Sequence, residues 1–320
     1  MPRIDPHVHC RDGKQNYKET IEHTLKLADQ QGVDQIFDMP NTDPPILYRP
    51  QVDERLLLVP KGQERRYHLY IGASSDEAQL REAVDCYDDV QPVVGMKLFA
   101  GRSVGSLAVV EEDKQRLVFR TLSNAGYTGV LAVHCEKESY LMNELWNPEV
   151  PATHCKARPK QAEIESIKDQ TKFAKEESFK GTLHILHISC PESIDLVDAA
   201  RKEMKITCGV TPHHVMWSKD DMGWGYDGLI RKCNPPLRDL SDVEMLRTLL
   251  RDGKIDWIET DHAPHQIVEK LFDPWMSGFP SLGLYKDFVT CRLPGLGLSE
   301  SQIMNMTETN IRKTFGNKVS

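Results

Sequence analysis

The sequence predicts an α/β fold, a single (β/α)8 barrel of the TIM type, and three observations carry that prediction. Short apolar runs suited to strands alternate eight times with helical patterns. The chain has 320 residues, a length at which such a barrel commonly forms one domain. Histidines, a lysine and carboxylates stand at the carboxyl ends of the strand-like runs, the face on which these barrels build their sites.

The first run, Ile4 to Cys10, holds His7 and His9. Residues two apart on a strand share a face, so both imidazoles point the same way, ~7 Å apart along the strand. That spacing suits two ligands on one divalent metal. Arg11 has the same parity and sits at the strand's exit, where two parallel donors suit a carboxylate.

A helix follows over 17–31, closed by Gly32, with Ile21, Leu25 and Ala28 at steps of three and four. The second strand is 35–39, followed by a helix over 50–66. The third strand is 68–72 and its helix 76–88; the fourth strand is 93–99 and its helix 111–125. The fifth strand is 130–134, followed by a Pro-rich loop over 148–159 and a charged helix over 161–179. The sixth strand is 182–188 and its helix 191–204, with Pro191 in the first turn. The seventh strand is 206–210, followed by a long loop over 217–238 and a helix over 242–251. The eighth strand is 256–260, and helices around 285–291 and 300–315 end the chain. No repeat, low-complexity run or linker divides it, so one domain over 1–320 is expected.

Net charge is −8 and the pI about 5.9. This composition offers no basic surface for nucleic acid, since clusters such as Lys61 to Arg66 are short. No apolar run reaches the ~18 residues a membrane span needs, and the N-terminus lacks an apolar signal segment. The eight cysteines are scattered without a CxxC pair, which reads as reduced thiols in a cytoplasmic protein. A homodimer is the assembly expected from barrel habit.

The polar residues at the strand ends form one set. Strand one contributes His7, His9 and Arg11, strand two Asn41, strand four Lys97, strand five His134, strand six His187, and strand eight Asp261 and His265. Four histidines, a lysine and an aspartate suffice for two metals, and neutral imidazoles with a carboxylate suit zinc or a similar ion. An ammonium cannot ligate a metal, and burying it beside cations is unfavourable. Reaction with CO2 would turn Lys97 into a carbamate, an anion with two oxygens able to bridge two metals. Taken alone, Lys97 equally suits phosphate binding or an ion pair. On strand six, His184 and His187 differ by three and are expected to face opposite ways. His187 is the ligand candidate because it is nearer the carboxyl end. His213 and His214 are read as supporting residues, and His262, next to Asp261, as pointing off the ligand face.

These motifs, in order along residues 5 to about 316, resemble dihydroorotase in the amidohydrolase superfamily. They are Asp5-Pro6-His7-Val8-His9-Cys10-Arg11-Asp12-Gly13, Met39-Pro40-Asn41-Thr42, Gly95-Met96-Lys97, His134, His187, Asn234-Pro235-Pro236-Leu237-Arg238 and Thr260-Asp261-His262-Ala263-Pro264-His265. The resemblance implies two Zn2+ ions bridged by carboxylated Lys97 and a hydroxide. His7, His9, Lys97 and Asp261 would hold one, and Lys97, His134 and His187 the other. It implies that Arg11, Asn41 and His265 bind the substrate carboxylate, while Asn234 and the backbone near Ser277 and Gly278 touch the pyrimidine ring. Asp261 would also move the proton, as general base and then acid. The implied reaction interconverts L-dihydroorotate and N-carbamoyl-L-aspartate in de novo pyrimidine (UMP) biosynthesis. Many members carry a small β-sandwich built from both chain ends; with the first strand at residue 4 and the last helix ending at Phe315, none is expected here. The Gly- and Ser-containing stretch 100–107 is expected to close over substrate. Two other readings remain: a hydantoinase or allantoinase, whose substrates lack the carboxylate Arg11 would bind, and a non-catalytic scaffold partner.

Overall fold

The computed structural model describes residues 2–319. Eight parallel strands stand in sequence order: β1 (Ile4–Val8), β2 (Gln35–Asp38), β3 (Tyr67–Gly72), β4 (Val93–Phe99), β5 (Val130–His134), β6 (Thr182–Ile185), β7 (Ile206–Val210) and β8 (Trp257–Ile258). With helices between successive strands, this is the expected (β/α)8 barrel. Every residue of β1 to β5 is buried, because helices cover the outside of a parallel sheet and side chains fill its inside.

The barrel closes by a thin seam. Between β8 and β1 the ladder reduces to a bridge of Val8 with His262, where His9 N donates to His262 O at 2.8 Å. Asp5 completes the seam from its side chain. Its carboxylate accepts from Thr260 N at 2.9 Å and from Thr260 Oγ1 at 2.5 Å.

Alternate strand residues divide the core in two. Outward-facing Val8, Ile36, Leu69, Ile71, Met96 and Leu98 pack under the helices. Inward-facing Ile4, Phe37, Tyr70, Val94 and Trp257 pack with Ile311, Phe315 and Val319 from the end of the chain. The helix Asn310–Phe315 thus fills the barrel on the side away from the polar cluster. Phe315 stacks edge-on against Phe37, with ring centroids 5.0 Å apart. Phe315→Ala is expected to lower unfolding free energy by about 3–5 kcal/mol, the usual loss for a buried aromatic. Denaturant titration reads this, and a change below about 1 kcal/mol, no more than a typical point mutant shows, would remove the packing role.

Four elements depart from expectation. The helix expected over 50–66 is Arg49–Leu56 only; Pro60 lacks an N–H and Gly62 adopts a left-handed φ of 85°, so the helix cannot continue. The sixth strand stops at Ile185 and the eighth is Trp257–Ile258. The loop 217–238 contains the short helical turns Lys219–Met222 and Tyr226–Ile230. All eight cysteines are free thiols. Among the described residues, no helix is long and apolar enough to cross a membrane.

Candidate active site

β1 and the segment after β8 bring three ligand candidates together. His7 Nε2 and His9 Nε2 lie 3.1 and 2.9 Å from the same Asp261 Oδ1. The two histidines share a face because they are two apart, His7 on β1 and His9 one residue past its end at the barrel mouth. Asp261 reaches them through a left-handed backbone, φ 50°, a conformation uncommon outside glycine that concentrates at functional sites. His9 Nδ1 is 2.7 Å from Asn41 Oδ1. An imidazole that donates there presents Nε2 as a lone pair, the form a metal requires. Asn41 therefore spends its oxygen on His9, and its amide donates to Val104 O at 3.1 Å.

Lys97 reaches the same space from β4. Its Nζ is buried, has no hydrogen-bond partner among the described residues, and lies 4.5 Å from the centre of the Phe99 ring. His134 Nδ1 faces His187 Nε2 at 3.1 Å. Two ring nitrogens held so close suit a shared cation. Behind His134, its Nε2 is 3.0 Å from Glu136 Oε2, and Arg158 holds the same carboxylate at 2.6 Å. Burial would raise the Glu136 pKa, but Arg158 and His134 prevail and hold it well below the usual carboxylate range.

His187 corrects the parity expectation on strand six. It lies two residues beyond β6, with φ 37°, so strand alternation no longer governs it. His184 and His187 both face inward and share one carboxylate, Glu259. The His187 amide donates to Glu259 Oε1, while His184 Nε2 is 3.0 Å and Trp257 Nε1 3.1 Å from Oε2. Gly209 on β7 makes room for this carboxylate: a Cβ there would stand 2.4 Å from Glu259 Cδ. Glu136 and Glu259 were missed by sequence reasoning, although a glutamate among the apolar residues of strand eight is a readable signal. Glu259→Gln and Gly209→Ala are each expected to weaken metal retention about 10–100-fold, as loss of ligand support does. Chelator competition measures this; unchanged retention in both would remove the supporting role.

All predicted site residues except His265 line one cavity of about 30 Å3, room for a water or two. Arg11, with φ 57°, donates from Nε to Pro264 O at 3.4 Å, and His265 stands behind it, Nε2 3.3 Å from Arg11 Nη2. Burial lowers the Arg11 pKa to about 10, against the pull of Asp261 and Asp38. On the opposite wall Asn234 donates to Ser103 Oγ at 3.3 Å and takes His154 Nε2 on its Oδ1 at 2.9 Å. Gly278 is required as glycine: its φ is 142°, and a Cβ would meet Ala263 O at 2.6 Å. Lys270, another residue sequence reasoning missed, donates its buried Nζ to Gly278 O at 2.6 Å.

His213 and His214 do not join this cluster; they gather with Cys233 elsewhere. His262 points away from the ligands, its Nδ1 accepting from Leu282 N at 3.3 Å.

The residues fit a metal. His7, His9 and Asp261 each offer a ligand atom within 4.8 Å of the others, and burial holds both imidazoles in the neutral, ligating form. Lys97 brings an orphaned amine to the same place. Burial raises Asp261 to about 7, against Lys97, and lowers Lys97 to about 7, against Asp261. Without metal, burial lowers the pKa values of His7, His9, His134 and His187, so below the ordinary imidazole range the unfolded chain takes up protons that the folded chain does not. Stability therefore falls as pH falls through that range. The raised Asp261 acts in the opposite sense there, but it is one group against four imidazoles. Above 7 the unfolded chain keeps a proton on Lys97 that the folded chain releases, which adds stability towards the ordinary amine range. Chelator-treated protein is expected to lose Tm as the pH falls from about 7 to about 5, and a Tm that rises over that fall would contradict it.

No family model matches the chain. The dihydroorotase of Anaeromyxobacter dehalogenans is 32% identical over 324 residues, covering 98% of this chain and 71% of its own length. The chain belongs to the dihydroorotase family. The dihydroorotase of Aeropyrum pernix is 31% identical over 299 residues, 91% of this chain. This family member spans 64% of the length of that relative. Among solved structures, the L-hydantoinase (dihydropyrimidinase) of Arthrobacter aurescens superposes with a TM-score of 0.83 at 24% identity, over 98% of this chain and 70% of its own. That likeness is one of fold.

Proposed function

We propose that the chain is a metal-dependent cyclic amidohydrolase that interconverts L-dihydroorotate and N-carbamoyl-L-aspartate. One observation carries the choice of substrate: Arg11, a buried cation backed by His265, lines the same cavity as the histidine, lysine and aspartate cluster. A buried guanidinium calls for an anion, and its fork matches a carboxylate. The ring carboxylate of dihydroorotate supplies one at the required end of the molecule.

His7, His9 and Asp261 would hold one zinc or similar ion, His134 and His187 a second, with Lys97 as its carbamate between them. Divalent metals supply Lewis acidity, polarising the ring amide carbonyl and lowering the pKa of water. The protein's own groups do the rest. Asp261 accepts the proton of the attacking water on a carboxylate oxygen and delivers it to the ring nitrogen as the C–N bond breaks. Arg11 fixes the carboxylate, so the scissile amide lies over the metal ligands. Asn234 and the backbone at Ser277 and Gly278 bound the ring. Ser103 and Val104 shield the site from water, and the small cavity requires their loop to move before a ring enters.

Hydrolysis of L-dihydroorotate, followed as ultraviolet loss of the ring amide, tests the reading. Turnover that requires zinc and is abolished by chelator is expected. Metal uptake with hydrolysis of hydantoin or allantoin, and none of dihydroorotate, would replace the substrate. A metal-loaded protein inert towards all three would leave the non-catalytic scaffold.

A further inference from the structure

We infer that His213, His214 and Cys233 form a second metal site, suited to a thiophilic cation of the zinc, cadmium or copper(I) class. Each offers one ligand atom, and the three atoms lie within 4.8 Å of one another. All three side chains are buried. His213 and His214 stand on the short helix Pro212–Met216 that follows β7. Cys233 comes from the segment leading to Asn234.

Two features point to a ligand. His213 has no hydrogen-bond partner for either ring nitrogen among the described residues, and its ring lies 5.9 Å from that of Phe279. A buried imidazole without a partner is unfavourable, and a cation satisfies a ring lone pair that an aromatic wall cannot. Second, the other two groups already converge. His214 Nε2 is 3.0 Å from Pro235 O, and Cys233 Sγ donates to the same oxygen at 3.2 Å. Both donors are therefore aimed at one point. The surroundings are rich in sulfur: Met222 belongs to the same buried cluster as Cys233, and the half-buried Cys155 packs against it, its sulfur 3.5 Å from that of Met222.

Thiolate with imidazole selects soft or borderline ions. Binding is a ligand substitution without redox change. Cys233 releases its thiol proton to solvent. The His214 ring proton moves from Nε2 to Nδ1, which then donates a hydrogen bond to Thr211 Oγ1, 2.8 Å away. The metal then takes the places both donors held on Pro235 O.

The site is tested by titrating the zinc-loaded protein with Cd2+. The proposed centre at the barrel mouth contains no sulfur, so cadmium exchanging into it gives no thiolate charge-transfer band. An ultraviolet sulfur-to-cadmium band that saturates at one equivalent is expected. It should vanish in Cys233→Ser, persist in Cys291→Ser, which removes the exposed cysteine, and need at least ten times more cadmium in His213→Phe. Should Cys233→Ser fail to fold, X-ray absorption at the cadmium edge of the unsubstituted protein decides, with one sulfur and imidazole nitrogens expected. Absence of the band, its persistence in Cys233→Ser, or a sulfur environment without imidazole would each overturn the proposal.

Discussion

Arg11→Met is expected to lower kcat/KM for L-dihydroorotate by about 100-fold or more, the scale of losing one partner of a buried charge pair, while metal content stays unchanged. Arg11 is the cavity's strongest anion-binding group, and methionine keeps its bulk without its charge. The effect should fall mainly on KM if the guanidinium holds substrate and transition state equally, and on kcat if it aligns the amide for attack. A neutral cyclic amide, such as hydantoin, provides the control. Any slow hydrolysis of it should survive the substitution, because Arg11 has no carboxylate to hold there. Equal losses on both substrates would mean that Arg11 shapes the site rather than choosing the substrate. His265 is the companion test: only 3.3 Å from Arg11 Nη2, its replacement by alanine should weaken the same substrate in the same direction.

Lys97→Ala is expected to lower turnover by at least about 100-fold, the lower end of what removing one electrostatic contact in a site costs. Burial lowers the amine to about 7, so a sizeable fraction is neutral and nucleophilic at physiological pH. Its nitrogen can then attack CO2, forming the N–C bond and releasing a proton, and the anion so made suits two cations. Lys97→Arg should be as inactive as alanine, because a guanidinium stays charged and cannot react in this way. Only the alanine variant leaves a space that a small carboxylic acid can fill, so acetate or propionate should restore part of the turnover there and none in arginine. Activity retained by Lys97→Arg would exclude the carbamate.

The barrel was legible because its signal is redundant. Eight apolar runs, each needing two buried faces, leave few other packings, and misplaced ends such as the helix over 50–66 do not alter the count. The candidate cluster was legible for a related reason: His7, Lys97 and His134 sit on strands and His9 one residue past β1, where alternation fixes direction. His187 and Asp261 lie beyond their strands, on left-handed backbone. Position along the chain located them, but parity misjudged His184 and His187. The groups that hold the ligands were the least legible. Glu259 and Asn41 act through contacts with residues distant in sequence, and even for Glu136, two positions from His134, the sequence shows a carboxylate without showing which side chain it will meet. The end of the chain was read as a helix, but its role inside the barrel depends on where eight strands leave space.

The thin seam would make a metal held there a clasp. His9 and Asp261 are 252 positions apart in the chain, on either side of a junction where a single bridge closes the barrel. During synthesis these two side chains cannot meet until nearly the whole barrel has left the ribosome. An ion held between them would tie the first strand to the last. At 100 times its dissociation constant, a ligand that binds only the folded form adds about 2.7 kcal/mol, and here that gain would fall on the seam. Stripping the ion should therefore quicken amide hydrogen exchange first at His9 and Thr260, before the helices on the far side of the barrel respond.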